Sequence, residues 1–392
     1  MKPITRFNIF AAGLAAWLML SPTSSKAQYL QKNLVGFKNG MARYVDPNLN
    51  GWGLAFAPNG PFCVANTSTG VATFYSRSGK PLPLVVSIPT APSQPFGPVG
   101  SPTGVVYNPT SDFVISKNGK SAPALFIFDT LDGTISGWNP KVDRNNAVII
   151  VDNSTELPFS ASYTGLALSK NTRGQNVLYA ADGGSSPTIT NNRFDMFDGI
   201  FNSLGSFTDP NVAVQYPGNT AFQVEDEDGK LYVTFGGFTP PFGGVVDVFD
   251  TDGNLLTPNH FAANIPGAGP LVNPWAIAKA PANFGEFSNA LLIGNVEDGR
   301  INAFSPNTGA FLGTLSHPDG NPIVIPGLWD LSFRSEGRDI RELSLGDDDQ
   351  DKSKFNQLFF TAGPNLVDFA GNGLFGVIFP AGSHGPSTGG DK

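Results

Sequence analysis

The chain has 392 residues, a formal net charge of −8 and a low share of charged residues, 14%. A protein that binds nucleic acid needs a basic face to neutralise phosphates, so this acidic balance excludes nucleic acid as an expected partner. The single cysteine, Cys63, excludes intrachain disulfides and thiolate metal clusters. Its neighbours Phe62 and Val64 are apolar and predict a buried, inert thiol.

Residues 1–27 have the pattern of a secretory signal peptide. Lys2 and Arg6 form a basic start, and residues 9–20 are an apolar run too short to span a bilayer. Residues 25–27, Ser-Lys-Ala, fit a small-x-small cleavage site. We therefore expect a mature chain that begins at residue 28 and is secreted or periplasmic, with no membrane span after signal removal. A short membrane anchor is the alternative interpretation.

Similar segments recur after the signal at intervals of 51–61 residues. A period near 50 is typical of a propeller or an array. Each segment opens on an inner strand with one Trp or Thr near its start, and Gly or Ala follows in five of the six. Small residues there are typical of a strand crowded beside a central channel. The repeated column is Trp52, Thr103, Thr164, Thr220, Trp275 and Trp329.

Each opening is followed by a strand–turn–strand pattern. Residues 126–140 match residues 292–306, since both have an apolar run, an Asp-Gly turn and then alternating apolar and polar residues. Short strands, Gly-rich turns and six repeats predict an all-β fold, a six-bladed β-propeller of four-stranded blades. We expect one domain over residues 28–380 and a flexible tail over residues 381–392.

The ring of blades needs a closing strand. Blade six contains predicted strands near Leu331, at residues 357–361 and at residues 374–378, and then the chain runs into a Gly-, Ser- and Pro-rich tail. Residues 30–37 are a spare strand at the other end of the mature chain. We predict that this N-terminal strand completes blade six, because pairing there removes an exposed sheet edge.

Three segments depart from the repeat. Residues 112–116 in blade two form an extra apolar stretch that predicts a bulge or an added strand. Blade six carries a charged insertion over residues 334–354, with an acidic run at residues 347–351. This run lacks the spacing of a Ca²⁺-binding loop, so we interpret it as solvated. The acidic residues 225–229 are interpreted in the same way, as a hairpin tip.

Two motifs, residues 46–62 and residues 132–140, resemble a family of secreted bacterial proteins of unknown function. That family is similar to six-bladed propellers of the NHL and SMP-30 types. The resemblance extends over nearly all of the mature chain. The family pattern has Pro at Gly51 and an aromatic residue at Cys63, and its blade-six insertion is shorter. The resemblance implies the propeller fold and transfers no catalytic residue.

Two columns of residues are expected to meet at one mouth of the channel, because the inner strand begins where the second strand ends. The Trp/Thr column, with Asn50 and Asn273 just before it, is a candidate ligand site in which Trp rings stack a sugar or aromatic ring and Thr hydroxyls bind it. Trp packing between blades is the alternative. Asn and Asp at the second-strand ends offer oxygen ligands for Ca²⁺ or another divalent cation, or else close Asx-turns. These are Asn66, Asp129, Asp182 and Asn295.

Catalytic motifs such as G-x-S-x-G, HExxH and the P-loop are absent from the sequence, and His260, His317 and His384 lie in predicted loops or the tail. The chain is therefore predicted to be a monomeric secreted binding protein whose partner is a polar small molecule, a glycan or a protein. The alternative, implied by the SMP-30 resemblance, is a metal-dependent lactonase or esterase. Its charged ligands would be Asp129, Asp182 and Asp330.

Overall fold

The computed structural model describes residues 28–58, 60–93, 97–155, 160–184, 191–333, 356–364 and 373–382. The predicted signal peptide, the blade-six insertion with its acidic run, and the tail beyond residue 382 lie outside the described residues. Six sheets surround a central channel as the blades of a β-propeller. The predicted fold class is confirmed.

Two strands precede the first blade, β1 (Tyr29–Gly36) and β2 (Tyr44–Val45). Blade one contains β3 (Gly51–Phe56), β4 (Phe62–Asn66), β5 (Val71–Tyr75) and β6 (Pro81–Ser87). Blade two contains β7 (Pro102–Tyr107), β10 (Phe126–Thr130), β11 (Thr134–Trp138) and β12 (Val148–Asp152), with the inserted strands β8 (Val114–Lys117) and β9 (Lys120–Pro123). Blade three contains β13 (Tyr163–Lys170), β14 (Asn176–Asp182), β15 (Arg193–Asp198) and β16 (Ser203–Phe207).

A short helix, α1 (Pro210–Gln215), connects blade three to blade four. Blade four contains β17 (Asn219–Glu227), β18 (Lys230–Gly237), β19 (Gly244–Asp250) and β20 (Ala262–Asn264). Blade five contains β21 (Pro274–Lys279), β22 (Leu291–Asn295), β23 (Ile301–Phe304) and β24 (Phe311–Thr314), with a 3-10 turn at Gly285–Phe287. Blade six contains β25 (Leu328–Phe333), β26 (Leu358–Ala362) and β27 (Leu374–Pro380). No helix within the described ranges is long and apolar enough to cross a membrane.

The N-terminal strand closes the ring, as predicted. β1 pairs antiparallel with β27, from Tyr29 opposite Pro380 to Gly36 opposite Leu374. The Tyr29 hydroxyl donates a hydrogen bond to the Phe284 carbonyl at 2.8 Å, so this strand also contacts blade five. The first and last parts of the propeller therefore share one sheet, and its edge is covered.

Apolar side chains between neighbouring blades form the core. Tyr179 and Phe194 of blade three pack with Val233 and Phe235 of blade four, and the rings of Phe194 and Phe235 meet edge to face at 5.6 Å. Cys63 is fully buried in a similar layer, and burial raises the pKa of its thiol well above its ordinary value. The predicted buried thiol is confirmed.

The extra stretch in blade two is an added hairpin. β8 and β9 pair antiparallel as a two-stranded sheet outside the blade. Phe113 and Ile115 are buried, and the Phe113 ring meets Phe201 of blade three at 5.2 Å. The hairpin therefore extends the apolar layer between blades two and three.

The repeated Trp/Thr column coincides with a β-bulge. All six inner strands shift register against the second strand near their start. A bulge inserts a residue that does not pair and re-aims its side chain. In blade four the shift falls between Ala221 and Gln223, so Phe222 is the bulge residue and Thr220 is not. The predicted alignment of blade four was therefore wrong by two positions.

Candidate functional site

An aromatic plug fills the channel at the end where the inner strands begin. The rings of Trp52 and Trp329 stack with centroids 3.6 Å apart, and Trp275 meets them edge-on at 5.3 and 4.6 Å. Phe222 stacks on Trp275 at 4.2 Å. Each of the three Trp residues is at most 2% exposed. The structure brings the predicted Trp residues together but turns their rings toward each other, and a ligand role for them stays a prediction.

The predicted Thr hydroxyls bond to the protein itself. Thr103 Oγ1 lies 2.7 Å from Asp129 Oδ1 and 2.9 Å from the Tyr163 carbonyl of the next blade. Thr220 Oγ1 donates to the Gly183 carbonyl of the preceding blade at 2.7 Å. Thr164 Oγ1 donates to the Ala181 carbonyl at 3.3 Å. These hydroxyls hold inner strands in place, and their binding of a ligand remains a prediction.

Asn50 and Asn273 are also buried and satisfied by backbone groups. Asn50 Oδ1 accepts a hydrogen bond from Ser68 N at 3.0 Å. Asn273 Oδ1 accepts one from Gly237 N at 3.0 Å, and its Nδ2 donates to the Gly237 carbonyl at 2.9 Å. Both side chains therefore order loops at the plugged end of the channel.

Each of the four predicted metal ligands makes a hydrogen bond to a nearby backbone group at the end of its own second strand. Asn66 Oδ1 accepts from Asn50 N at 2.8 Å, and Asp182 Oδ1 accepts from Ser162 N at 2.9 Å. Asp129 Oδ1 accepts from Gly104 N at 2.5 Å in the same way, whereas Asn295 Nδ2 donates to the Pro270 carbonyl at 2.9 Å. Among the described residues, no hydrogen bond links any of these four side chains to another of the four. Their metal role stays a prediction.

Beyond the plug, the channel contains a cavity of about 230 Å³ at the far ends of the inner strands. Its lining includes, in several inner strands, the residues one and three positions after the bulge residue. Side chains alternate along a strand, so these positions share one side of it. Most blades place Gly, Ala or Val there, whereas blades four and six supply polar side chains. The polar residues at these positions are Gln223, Glu225, Asp330 and Ser332.

The inner strands approach each other too closely for larger side chains in the other blades. A Cβ at Gly104 would lie 2.6 Å from Leu166 N of blade three. A Cβ at Gly165 would overlap Oε1 of Gln223, so the Gln223 side chain covers that glycine. The column of small residues predicted from the sequence therefore marks contacts between adjacent inner strands.

Asp330 lies where the last blade meets the first. Its Oδ2 accepts a hydrogen bond from Leu54 N of blade one at 2.7 Å, and its Oδ1 accepts one from Leu331 N at 2.7 Å. Burial raises the pKa of Asp330 to about 7, although these two N–H groups oppose the change. An anion at this position is therefore held in place but poorly solvated.

Glu225 faces the same cavity from blade four and is half-buried. Burial raises the pKa of Glu225 well above its ordinary value, and the charge of Asp330 is the next largest cause. Asp226 lines the cavity as well, and no Lys or Arg is among the described residues that line it. The cavity therefore brings carboxyl groups together without a basic side chain in this lining to balance their charge when they ionise.

The acidic segment, residues 225–229, was predicted to be a solvated hairpin tip. This prediction was right for the end of the segment and wrong for its start. Asp228 and Gly229 have positive φ angles, 58° and 75°, and form the two-residue tip between β17 and β18. Glu225 and Asp226 lie on the strand; Glu225 faces the channel cavity, whereas Asp226 Oδ1 accepts a hydrogen bond from Gly229 N of the tip at 2.9 Å. The alternation of Gln223 and Glu225 was a signal for this, but the misplaced bulge of blade four hid it.

No family model matches this chain. Two uncharacterised proteins of Acanthamoeba polyphaga mimivirus are similar in sequence. One is 29% identical over 329 residues, which covers 79% of this chain and 80% of the relative. The other is 28% identical over 375 residues, which covers 91% of this chain and 80% of the relative. These relatives are viral, and the predicted link to secreted bacterial proteins stays a prediction.

Among solved structures, this chain is similar to virginiamycin B lyase from Staphylococcus aureus and to the PQQ-bound aldose sugar dehydrogenase from Streptomyces coelicolor. The lyase has a TM-score of 0.48 at 12% identity, covering 90% of this chain and 99% of the lyase. The dehydrogenase has a TM-score of 0.49 at 12% identity, covering 91% of this chain and 98% of the enzyme. The likeness concerns the fold, and no activity is transferred from it.

Proposed function

We propose that this protein is a binding protein that holds a hard divalent cation such as Ca²⁺ in the cavity between Asp330 and Glu225. The proposal rests on one observation: two carboxyl groups share a cavity of about 230 Å³ whose described lining contains no basic side chain. Burial raises the pKa values of both groups, and repulsion by Asp330 raises that of Glu225 further. A bound cation would remove that repulsion.

The donor set and the size of the cavity both favour a small, hard cation. Ca²⁺ takes six to eight oxygen ligands from carboxylates, amide carbonyls and water. Asp330, Glu225, Asp226 and Gln223 offer carboxylate and amide oxygens. The cavity volume lies below the roughly 300–1,000 Å³ of sites for larger organic ligands, so an ion with its water molecules suits it better.

Calorimetric titration of Ca²⁺, Mg²⁺ and Zn²⁺ into the purified protein tests this proposal. We expect the wild-type protein to bind Ca²⁺ and Glu225→Gln to abolish this binding. The matched substitution at an exposed position, Glu286→Gln, should leave it unchanged. Loss of binding on Asp182→Asn instead would move the site to the second-strand ends. An absence of Ca²⁺ binding by the wild-type protein would reject the proposal.

A metal-dependent hydrolase for lactones or esters is the second candidate. The pKa of Asp330, about 7, is the observation that favours it, because a general base works best near the operating pH. A cation in the same cavity would polarise the substrate carbonyl and activate water. Turnover of a lactone or ester panel that requires Ca²⁺ and is lost on Asp330→Asn supports the hydrolase. Cation binding without turnover leaves the binding protein.

We also propose that residues 1–27 direct export and that the mature protein works outside the cytoplasm as a monomer. The basic start, the apolar run and the Ser-Lys-Ala site support export. N-terminal sequencing of protein recovered after expression should give Gln28 as the first residue. A mature protein that still contains Met1 and remains in the cytoplasm would contradict this proposal.

A further inference from the structure

A second cluster of ligand-type side chains lies far from the channel, where the connection between blades three and four meets the outer part of blade four. Asp209 immediately precedes α1, Asp247 lies on β19, and His260 lies in the loop before β20. One ligand atom from each of these three residues lies within 4.8 Å of the others. Three separate segments of the chain therefore converge on one point.

The spacing of the three side chains fits a metal ion between them. His260 Nδ1 lies 3.0 Å from Asp247 Oδ1, 3.1 Å from Asp247 Oδ2 and 3.5 Å from Asp209 Oδ2. In a tetrahedral Zn²⁺ site with bonds of about 2.0–2.1 Å, neighbouring ligand atoms are roughly 3.4 Å apart. The separations that involve His260 are close to this value, and all three ligand atoms lie within 4.8 Å of one another.

Asp209 provides an unused acceptor that points into the cluster. Its Oδ1 accepts a hydrogen bond from Asn211 N at 2.8 Å, whereas its Oδ2 makes no hydrogen bond to the described residues. Asp209 and Asp247 are fully buried, and the His260 side chain is 5% exposed. A buried carboxylate oxygen without a partner costs free energy, unless a ligand occupies the space in front of it.

Charge balance also favours a divalent ion. Two carboxylates meet in a buried site, and the imidazole is the basic group in contact with them. A single imidazole cannot balance two carboxylates, whereas a divalent cation balances both.

We propose that Asp209, Asp247 and His260 form a structural Zn²⁺ site. One imidazole nitrogen with two carboxylate oxygens is a donor set that Zn²⁺ accepts, with water in the fourth position. Ca²⁺ prefers six or more oxygen ligands and suits this set less well. The ion joins the segment that carries α1 to blade four, so it stabilises the contact between blades three and four.

Thermal unfolding with and without Zn²⁺ tests the site, after the protein has been treated with a chelator. We expect one Zn²⁺ per chain and a rise of about 5 °C in melting temperature at a hundredfold excess over Kd. His260→Gln should abolish this rise, and the matched control His317→Gln should keep it. Zn²⁺ binding that survives His260→Gln, or a wild-type protein that binds no Zn²⁺, overturns the proposal.

A second measurement covers the case in which His260→Gln does not fold. Co²⁺ bound to the wild-type protein should give the strong visible absorption of a four-coordinate ion, and Zn²⁺ should displace it. Imidazole nitrogen NMR should show that Nδ1 of one histidine becomes the metal ligand. An unchanged histidine spectrum in the presence of Zn²⁺ would mean that His260 binds no metal and would overturn the proposal. Neither readout depends on the channel cavity.

Discussion

Substitution of Asp129 by Asn should stabilise the protein, and the gain should grow as the pH rises. Asp129 is fully buried, and its Oδ1 accepts hydrogen bonds from Thr103 Oγ1 and Gly104 N. Its Oδ2 has no hydrogen-bond partner among the described residues. An Asn side chain keeps both bonds to Oδ1 and removes the buried charge, and its amide nitrogen replaces Oδ2, a change whose cost does not depend on pH.

The size of the effect follows from the pKa of Asp129. Burial raises this pKa from 3.8 to about 7, so the folded protein binds the proton more tightly than the unfolded chain. The stability from this group is therefore complete below pH 4 and is lost as the pH rises to about 7. At about 1.4 kcal/mol per pKa unit, ionisation costs about 4 kcal/mol at pH 8 and about 1.5 kcal/mol at pH 5.

Thermal or urea unfolding of both proteins at pH 5 and pH 8 measures this difference. The advantage of Asp129→Asn in free energy of unfolding should be about 2.5 kcal/mol larger at pH 8 than at pH 5. Contributions that do not depend on pH cancel in this comparison. The same substitution at the exposed Asp319 is the control and should show no such growth. An advantage that is equal at both pH values would refute the reasoning.

Three further predictions concern the ring, the inner strands and the cavity. Deletion of residues 28–40 removes β1 and exposes the edge of β27, so the protein should lose its cooperative unfolding transition. A truncated protein with an unchanged melting temperature would contradict this. Gly104→Ala places a Cβ 2.6 Å from Leu166 N and should cost about 1–3 kcal/mol of stability in a urea titration. Gly97→Ala, whose Cβ would make only an ordinary contact with Val99 O at 3.8 Å, should cost little. Ca²⁺ affinity should rise at least about tenfold from pH 6 to pH 8, because the Asp330 carboxyl, with a pKa of about 7, must lose its proton and the raised pKa of Glu225 adds to the effect. Equal affinities by calorimetry would argue against these ligands.

The blade architecture could be predicted from the sequence because it repeats. The period, the Asp-Gly turns and the small residue after five of the six Trp or Thr positions come from local rules that recur along the chain. The closing role of residues 29–36 followed from a missing strand in blade six. The position of the bulge in blade four could not be predicted. Thr220 and Phe222 lie two positions apart, and both fit the start of an inner strand.

The sites were harder to predict because they depend on contacts between distant segments. Glu225 and Asp330 meet in the cavity only when blades four and six have closed around the channel. Asp209, Asp247 and His260 come from a connection, a strand and a loop with no common spacing, and His260 was assigned to a loop without a partner. Local patterns carry no information about such convergence.

The most direct measurement is a crystal structure of the protein grown with Mn²⁺ or Sr²⁺ in place of Ca²⁺. Anomalous scattering from these ions locates each bound ion without reference to an assumed site. The proposed function predicts an anomalous peak in the channel cavity, within coordination distance of the carboxylates of Glu225 and Asp330. A cavity with no anomalous peak, whether or not the ion is bound elsewhere in the protein, would contradict it.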